Sequence, residues 1–316
     1  MINITVRPIR IGEFPKFLSI GTSHEHLEDI KKYVNELLES GCTRLEWCYV
    51  LENKGDFLGK FIFWSLPKLD KPLDIVLLDL DLSNKKYLEL GTLFLEKIKK
   101  ISKDLSITNL GYVLDSPSQY PQWQEHFNKR SKLLETSGFK VSRKTKRFIY
   151  SSSTSFDDLN YENFIVRSLE DVSDNEYIKA ILEVSKSTLD ERINFDINSI
   201  GALAQAEQNF EVLKNMDYKP SWWKLIYDKM DNSLIGLVMP TIAPSFGTIG
   251  YIGVIPEKRG KGYVDVLLSL GTKILLDNDV TIIKADTDIN NLPMANAFIK
   301  AGYHQFATRN EYIIEL

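Results

Sequence analysis

The chain is poor in the residues that build metal and disulfide scaffolds. Two cysteines, Cys42 and Cys48, and four histidines are spread over 316 residues. A disulfide-built fold is therefore excluded, and the cysteines read as reduced thiols of a cytosolic protein. Of the histidines only His24 and His26 form an H-x-H pair, too little to specify ligands, so no metal is expected. An excess of one charge is lacking as well: 39 basic residues stand against 43 acidic ones, a net charge of −4. Such a surface gives no general attraction to nucleic acid or anionic membrane. No run reaches the ~18 apolar residues of a membrane span, and Arg7 and Arg10 interrupt the place of a signal peptide. A cytoplasmic location is expected.

Two nucleotide motifs are also missing. Gly250 and Gly253 lie inside a strand pattern, so no G-x-G-x-x-G opens a helix, and no G-x-x-x-x-G-K-[ST] occurs.

What is present is an ordinary globular composition, 43% hydrophobic and 26% charged. At roughly 150 residues per domain the length suggests two domains, each able to bury a core. The polar stretch 151–160 places the boundary. The expected organisation is a domain over 1–150, a linker over 151–163 and a second domain over 164–316.

Both halves show the same element order. In the first, strands near 2–9, 43–51, 57–65, 73–82 and 107–114 alternate with helices near 24–39, 84–103 and 121–137, and a strand pair closes it over 138–150. In the second, a strand at 164–167 precedes helices at 174–187 and 199–215. A hairpin over 222–241, a strand over 248–255, a helix to about 278, a strand over 280–287, a helix over 292–301 and closing strands over 303–315 follow. Leu58-Gly59 and Ile235-Gly236 follow corresponding hairpin turns, and Gly138-Phe139 and Gly302-Tyr303 end corresponding helices. The order and these matches predict an internal duplication.

The stretch that carries chemistry is 248–268. Ile249, Tyr251, Ile252, Val254 and Ile255 form a strand that Pro256 ends, having no N–H for the ladder. Arg259-Gly260-Lys261-Gly262-Tyr263 then leads into a helix with Val264, Leu267 and Leu268 on one face. A strand, a basic glycine-bearing turn and a helix start offer free amides and a positive helix end, which suit an anion. The first half has Asp81-Leu82-Ser83-Asn84-Lys85-Lys86-Tyr87 at this place, without the glycine pair.

This stretch resembles the pyrophosphate motif of the GCN5-related N-acetyltransferase (GNAT) family, Arg/Gln-x-x-Gly-x-Gly/Ala after a strand ending V-x-P. Here Val254-Ile255-Pro256 precedes Arg259-Gly260-Lys261-Gly262-Tyr263-Val264; Val264 replaces the last small residue but keeps its main-chain N–H. Downstream, Asn291-Leu292-Pro293-Met294, Phe298 and Ala301-Gly302-Tyr303 resemble a second family segment. The resemblance implies an α/β fold, a mixed sheet flanked by helices, in two tandem GNAT-like domains of which the first is degenerate. It is similar in plan to tandem members such as the mycothiol synthase type.

The resemblance also implies a reaction: transfer of an acetyl group from acetyl-CoA to a primary amine, by direct attack in a ternary complex. Ile252, Gly253, Val254 and Ile255 would contact the pantetheine arm and thioester. Arg259, Gly260, Lys261, Gly262, Tyr263 and Val264 would take the pyrophosphate, and Asn291 the arm or a phosphate besides capping its helix. Phe298 stands where many members carry a proton-donating tyrosine, and phenylalanine donates nothing; Tyr303 and Tyr251 are the nearby hydroxyls. The strand has no carboxylate, so the candidate general bases are Asp286 and Asp288. Asp190, Glu191, Glu207, Trp222 and Trp223 lie in the region that forms the acceptor wall. The expected partner is a small-molecule amine, with the chain acting as a monomer with an internal pseudo-dimer or as a homodimer. The competing expectation is a non-catalytic acyl-CoA-binding or scaffolding protein, which needs only the turn.

Overall fold

The computed structural model describes residues 4–67, 69–151, 162–243 and 246–316. They form two compact units, Met1–Lys144 with Ala307–Leu316, and Thr145–Phe306. Of the linker expected over 151–163, residues 152–161 lie outside the described residues. No helix among the described residues is long and apolar enough to cross a membrane.

The first unit begins with β1 (Ile4–Pro8), α1 (Phe14–Leu18), α2 (Leu27–Glu39), β2 (Cys48–Asn53) and β3 (Asp56–Trp64). It continues with β4 (Asp74–Leu80), α3 (Tyr87–Asp104), β5 (Asn109–Ser116), α4 (Phe127–Thr136) and the start of β6 (Lys140–Tyr150). The β2–β3 hairpin turns through Lys54 and Gly55, both at positive φ, a conformation whose twist matches the strands. Strands pair antiparallel throughout, except β4 with β5, which are parallel.

The second unit has β7 (Phe164–Ser168), α5 (Asp174–Ser185), α6 (Glu191–Ile200), α7 (Ala202–Lys214), β8 (Lys224–Asp228) and β9 (Leu234–Ala243). After these come β10 (Phe246–Val254), α8 (Tyr263–Leu276), β11 (Ile283–Asp288), α9 (Leu292–Lys300) and β12 (Tyr303–Glu315). Again one neighbouring pair is parallel, β10 with β11, and the other pairs are antiparallel. Its core joins α5, α7 and α8 to the sheet through Tyr177, Phe210, Leu237, Leu267 and Phe298. Both Trp222 and Trp223 are buried there, Trp223 Nε1 donating to the Pro240 carbonyl at 3.1 Å, so neither offers an acceptor wall.

Two details depart from the sequence expectation. Helix α6 lies between the helices expected at 174–187 and 199–215, in a stretch given no element of its own. The Asp190 carboxylate caps it by accepting from the Ile193 amide at 3.0 Å; Ile193, Ile197 and Ile200 recur at helical spacing, although none of its residues is buried. The other concerns the closing strands. Each of β6 and β12 is a single long strand rather than a pair, and each is shared. Residues 140–144 of β6 and 307–315 of β12 belong to the first unit, and 145–150 and 303–306 to the second. The C-terminal part of β12 pairs with β5, from Thr308 opposite Ser116 to Glu315 opposite Asn109. The second part of β6 pairs with β11. Residues 307–316, expected with the second domain, thus complete the first unit.

The duplication is visible in packing. A Cβ on Gly59 would meet the Asp79 carbonyl at 2.9 Å and the Phe94 ring at 3.0 Å. A Cβ on Gly236 would meet the Gly253 carbonyl at 2.2 Å and Leu267 at 3.0 Å. Each glycine lets its strand approach the next strand and the following helix closely. Asp79 and Gly253 therefore occupy equivalent places.

Candidate functional site

Parallel pairing of β10 with β11 covers only Gly247 opposite Ile283 and Thr248 opposite Lys284. Beyond it β11 turns to β6, pairing from Lys284 to Asp288. A bulge between Ile249 and Tyr251 bends β10 at Gly250. The two strands splay, and the far edge of β10 from Ile252 to Val254 opens on a cavity of about 440 Å³.

The turn after β10 forms the cavity's polar end. Gly260 and Gly262 stand at φ +75° and +81°, where glycine alone carries no Cβ penalty. Gly262 opens α8 without a side-chain cap. Main-chain acceptors serve Arg259 and Asp265, but the amides of residues 260–264 between them have none among the described residues. Five consecutive N–H groups at a helix N-terminus make an anion cradle. Gly260, Gly262, Tyr263 and Val264 line the cavity, joined by Lys258, whose ammonium is held by Asp228 at 2.8 Å. Lys261 and Ile255 do not line it; Lys261 Nζ turns back to the Glu257 carbonyl at 3.3 Å, and the Ile255 amide joins the Ile235 carbonyl.

Arg259 lines the cavity, but its guanidinium is engaged elsewhere. Nε donates to the Val254 carbonyl at 3.0 Å, and the two terminal nitrogens donate to the carbonyls of Val184, Lys186 and Ser187 at 2.7–2.9 Å. Those carbonyls end α5, where a cation also complements the helix dipole. The segment after them supplies Thr188 and Leu189 to the wall, beside Val184. The opposite wall comes from α9: Asn291 caps it by accepting from the Met294 amide at 3.3 Å, and Asn291, Pro293 and Met294 all face the cavity.

No family model matches the sequence, and no curated protein matches it significantly. Solved structures do. The chain is similar to a GCN5-related N-acetyltransferase from Sphaerobacter thermophilus at 13% identity and a TM-score of 0.63, over 99% of this chain and 95% of that one. It is similar to a tandem GNAT protein from the clavulanic acid biosynthesis pathway at 11% identity and a TM-score of 0.54, over 99% and 98%. A third likeness, at 12% identity and a TM-score of 0.57, is to a fungal multi-domain enzyme with a GCN5-related glucosamine N-acetyltransferase region, over 99% of this chain and 38% of that one. The fold is that of a tandem GNAT protein.

Within this GNAT fold the candidate proton carriers do not gather at the cavity. No carboxylate is among the described residues that line it. Asp288 is fully buried, and its oxygens accept from the amides of Asn290 at 3.1 Å and Glu191 at 3.4 Å. Burial pushes its carboxyl up, and those amides hold it back. Asp286 keeps a third of its side chain exposed and meets Arg147 at 3.3 Å. Tyr303 is buried with its hydroxyl 2.7 Å from Thr272 Oγ1, and burial raises its pKa. Tyr251 is bound to Ser185 Oγ at 2.7 Å, and burial pushes it up to about 12. Phe298 stacks on Phe148 at 5.1 Å inside the core. Asp190 and Glu191 cap and begin α6, and Glu207 lies on α7. Lys258 was within reach of sequence reasoning, being part of the turn. Val184, Thr188 and Leu189 were not, because nothing local marks residues that arrive from a segment so far upstream.

The first unit repeats the splay, with side chains at the opened edge. β4 and β5 pair only through Asp74–Gly111 and Ile75–Tyr112. Arg130 precedes Gly138 by the same interval as Met294 precedes Gly302, so it stands where the second unit has a cavity-lining methionine. Its guanidinium donates to the Leu78 carbonyl and to Asp79 Oδ1 at 2.5 Å. Lys60 Nζ, fully buried, lies 3.6 Å from the other Asp79 oxygen and donates to the Leu18 carbonyl at 2.7 Å. Burial pulls the Lys60 ammonium down, against the opposing pull of Asp79. The amide of Leu77 is taken by Gln122 Oε1 at 3.1 Å. Side chains of the unit itself thus occupy the opened edge of β4. Elsewhere in this unit Glu25, His26 and Glu125 each bring a ligand atom within 4.8 Å of the others. Both carboxylates are exposed, and His26 already pairs with Glu25 at 3.5 Å and stacks on Trp123 at 3.9 Å, which accounts for the group as a surface ion pair.

Proposed function

We propose that the second unit binds acetyl-CoA and transfers its acetyl group to a primary amine of a small molecule, by direct attack within a ternary complex. The observation that carries this reading is the run of amides at residues 260–264, without acceptors among the described residues, four of them on residues that line the cavity along the edge of β10. The residues fit the ligand. Positive-φ glycines bring bare backbone to a pyrophosphate, the β10 edge offers main-chain groups to an amide-bearing pantetheine arm, and Val184, Leu189 and Met294 supply apolar walls. Acetyl-CoA supplies the activated thioester. An N–H aimed at the developing oxyanion is worth about 3 kcal/mol in comparable acyl transfers. Asp286 is the candidate general base that keeps a solvent-facing carboxylate; Asp288 and Tyr303 are buried and hydrogen-bonded.

A second reading, a non-catalytic acyl-CoA-binding protein, is favoured by one observation: no carboxylate is among the described residues that line the cavity. Calorimetric titration with acetyl-CoA and CoA, followed by a free-thiol assay over a panel of amines, separates the two. Binding with thiol release supports transfer, binding without release on any amine supports the second reading, and no binding removes both. The cytoplasmic location and a monomer with an internal pseudo-dimer complete the proposal; sedimentation at micromolar concentration checks the latter.

A further inference from the structure

The segment from Val184 to Glu191 crosses one side of the cavity and is fastened at both ends. At its start the carbonyls of Val184, Lys186 and Ser187 receive the Arg259 guanidinium. At its end the Glu191 amide donates to Asp288 Oδ2 at 3.4 Å, and Glu191 Oε1 accepts from Asn290 Nδ2 at 2.8 Å. Between the anchors, Thr188 and Leu189 face the cavity. Ser187 is held at φ +51°, a left-handed conformation that a serine adopts only under constraint.

We infer that Arg259 and Asp288 are positioning residues that clamp residues 184–191 as a strap over the cavity, and that Arg259 does not pair with the pyrophosphate. The inference rests on the acyl-CoA reading of the site. A guanidinium has five N–H groups, and four carbonyls already take one each. Turning it to a phosphate would abandon three acceptors at the end of α5, each then left without its charge-assisted partner. The amides of residues 260–264 have no acceptor among the described residues, and four of these residues, Gly260, Gly262, Tyr263 and Val264, line the cavity themselves. The strap also joins the donor turn to α6, so the turn and the wall on the acceptor side hold their positions together. Asp288 has its oxygens committed to the Asn290 and Glu191 amides and acts through the strap rather than on the substrate.

The test compares Arg259→Gln with the unaltered chain, using two probes: acetyl-CoA, and acetyl-pantetheine, which has the thioester arm but no pyrophosphate. A brace acts on the cavity wall, so the variant should lose affinity for both by a similar factor, about tenfold. A loss confined to acetyl-CoA, with acetyl-pantetheine unchanged, would overturn the inference and assign the side chain to phosphate. Amide exchange of the ligand-free protein provides an independent arm. Residues 187–191 should exchange faster in Arg259→Gln, and those near 190–192 faster in Asp288→Ala, while β9 and α8 stay protected. Unchanged exchange across the strap in Arg259→Gln would also overturn the inference. If the unaltered chain bound neither probe, the acyl-CoA reading would fall by itself, and the exchange arm would still decide whether the strap is held as described.

Discussion

Gly262 shows how much of this site rests on single residues. At φ +81° it opens α8, and its neighbours' amides have no acceptor among the described residues. A branched side chain in that conformation costs about 1–2 kcal/mol. Gly262→Val should therefore weaken acetyl-CoA binding at least fivefold in calorimetry while melting within a few degrees of the parent. Asp286→Asn tests the base: if it takes the amine proton, kcat should fall by roughly 10²-fold or more with little change in acetyl-CoA affinity. The buried trio of the first unit has the opposite character. Asp79→Ala would leave Arg130 and Lys60 buried without their carboxylate, a loss of about 3–5 kcal/mol in denaturant unfolding. Adding Arg130→Met to it should recover part of that loss, because the uncompensated charge falls from two groups to one. Glu13 gives a pH test. Hydrogen bonds from Arg7 hold its carboxyl down at about 2, below its ordinary range. Its stabilisation is present above the unfolded value near ~4.3 and is lost as pH falls towards 2. Glu13→Gln should thus be less stable than the parent at pH 6 and no longer so near pH 2.

Among the elements, β10, the turn and α8 were readable because everything they need is local: β-branched residues, a proline stop, two glycines and an apolar helix face. The same holds for most other strands and helices, whose periods and turn residues lie within a dozen positions. What could not be read depends on contacts between distant segments. Gly253 is an example. In the sequence it suggests close approach by a ligand or a bulge; in the structure the bulge is at Gly250, and Gly253 both lines the cavity and receives α5. A Cβ there would stand 2.8 Å from Val184. Gly253→Ala should therefore push α5 from β10, destabilising the second unit by about 1–3 kcal/mol and weakening acetyl-CoA binding, both measurable on one protein sample. Asp288 and Arg259 were assigned chemistry by their positions near the motif, since backbone carbonyls and amides leave no mark in a sequence.

At the scale of the whole molecule, the duplication is visible in the order of elements, but the sharing of β6 and β12 is not. A strand pattern records which face is apolar and does not say which neighbour it will join. Deletion of 307–316 tests the assignment. It removes the partner of β5 along its whole length together with Tyr312 and Ile314 of the first core. Amide exchange should then rise in β5 and α4, while the calorimetric response of the second unit to acetyl-CoA persists. Protection of β5 that survived the deletion would contradict the pairing. The same sharing bears on how the protein is made. A ribosome adds residues 307–316 after every residue of the second unit, so β5 emerges long before its partner exists. At ~5–20 residues per second that wait is on the order of ten to forty seconds, during which β5 offers a bare hydrogen-bonding edge to other nascent chains.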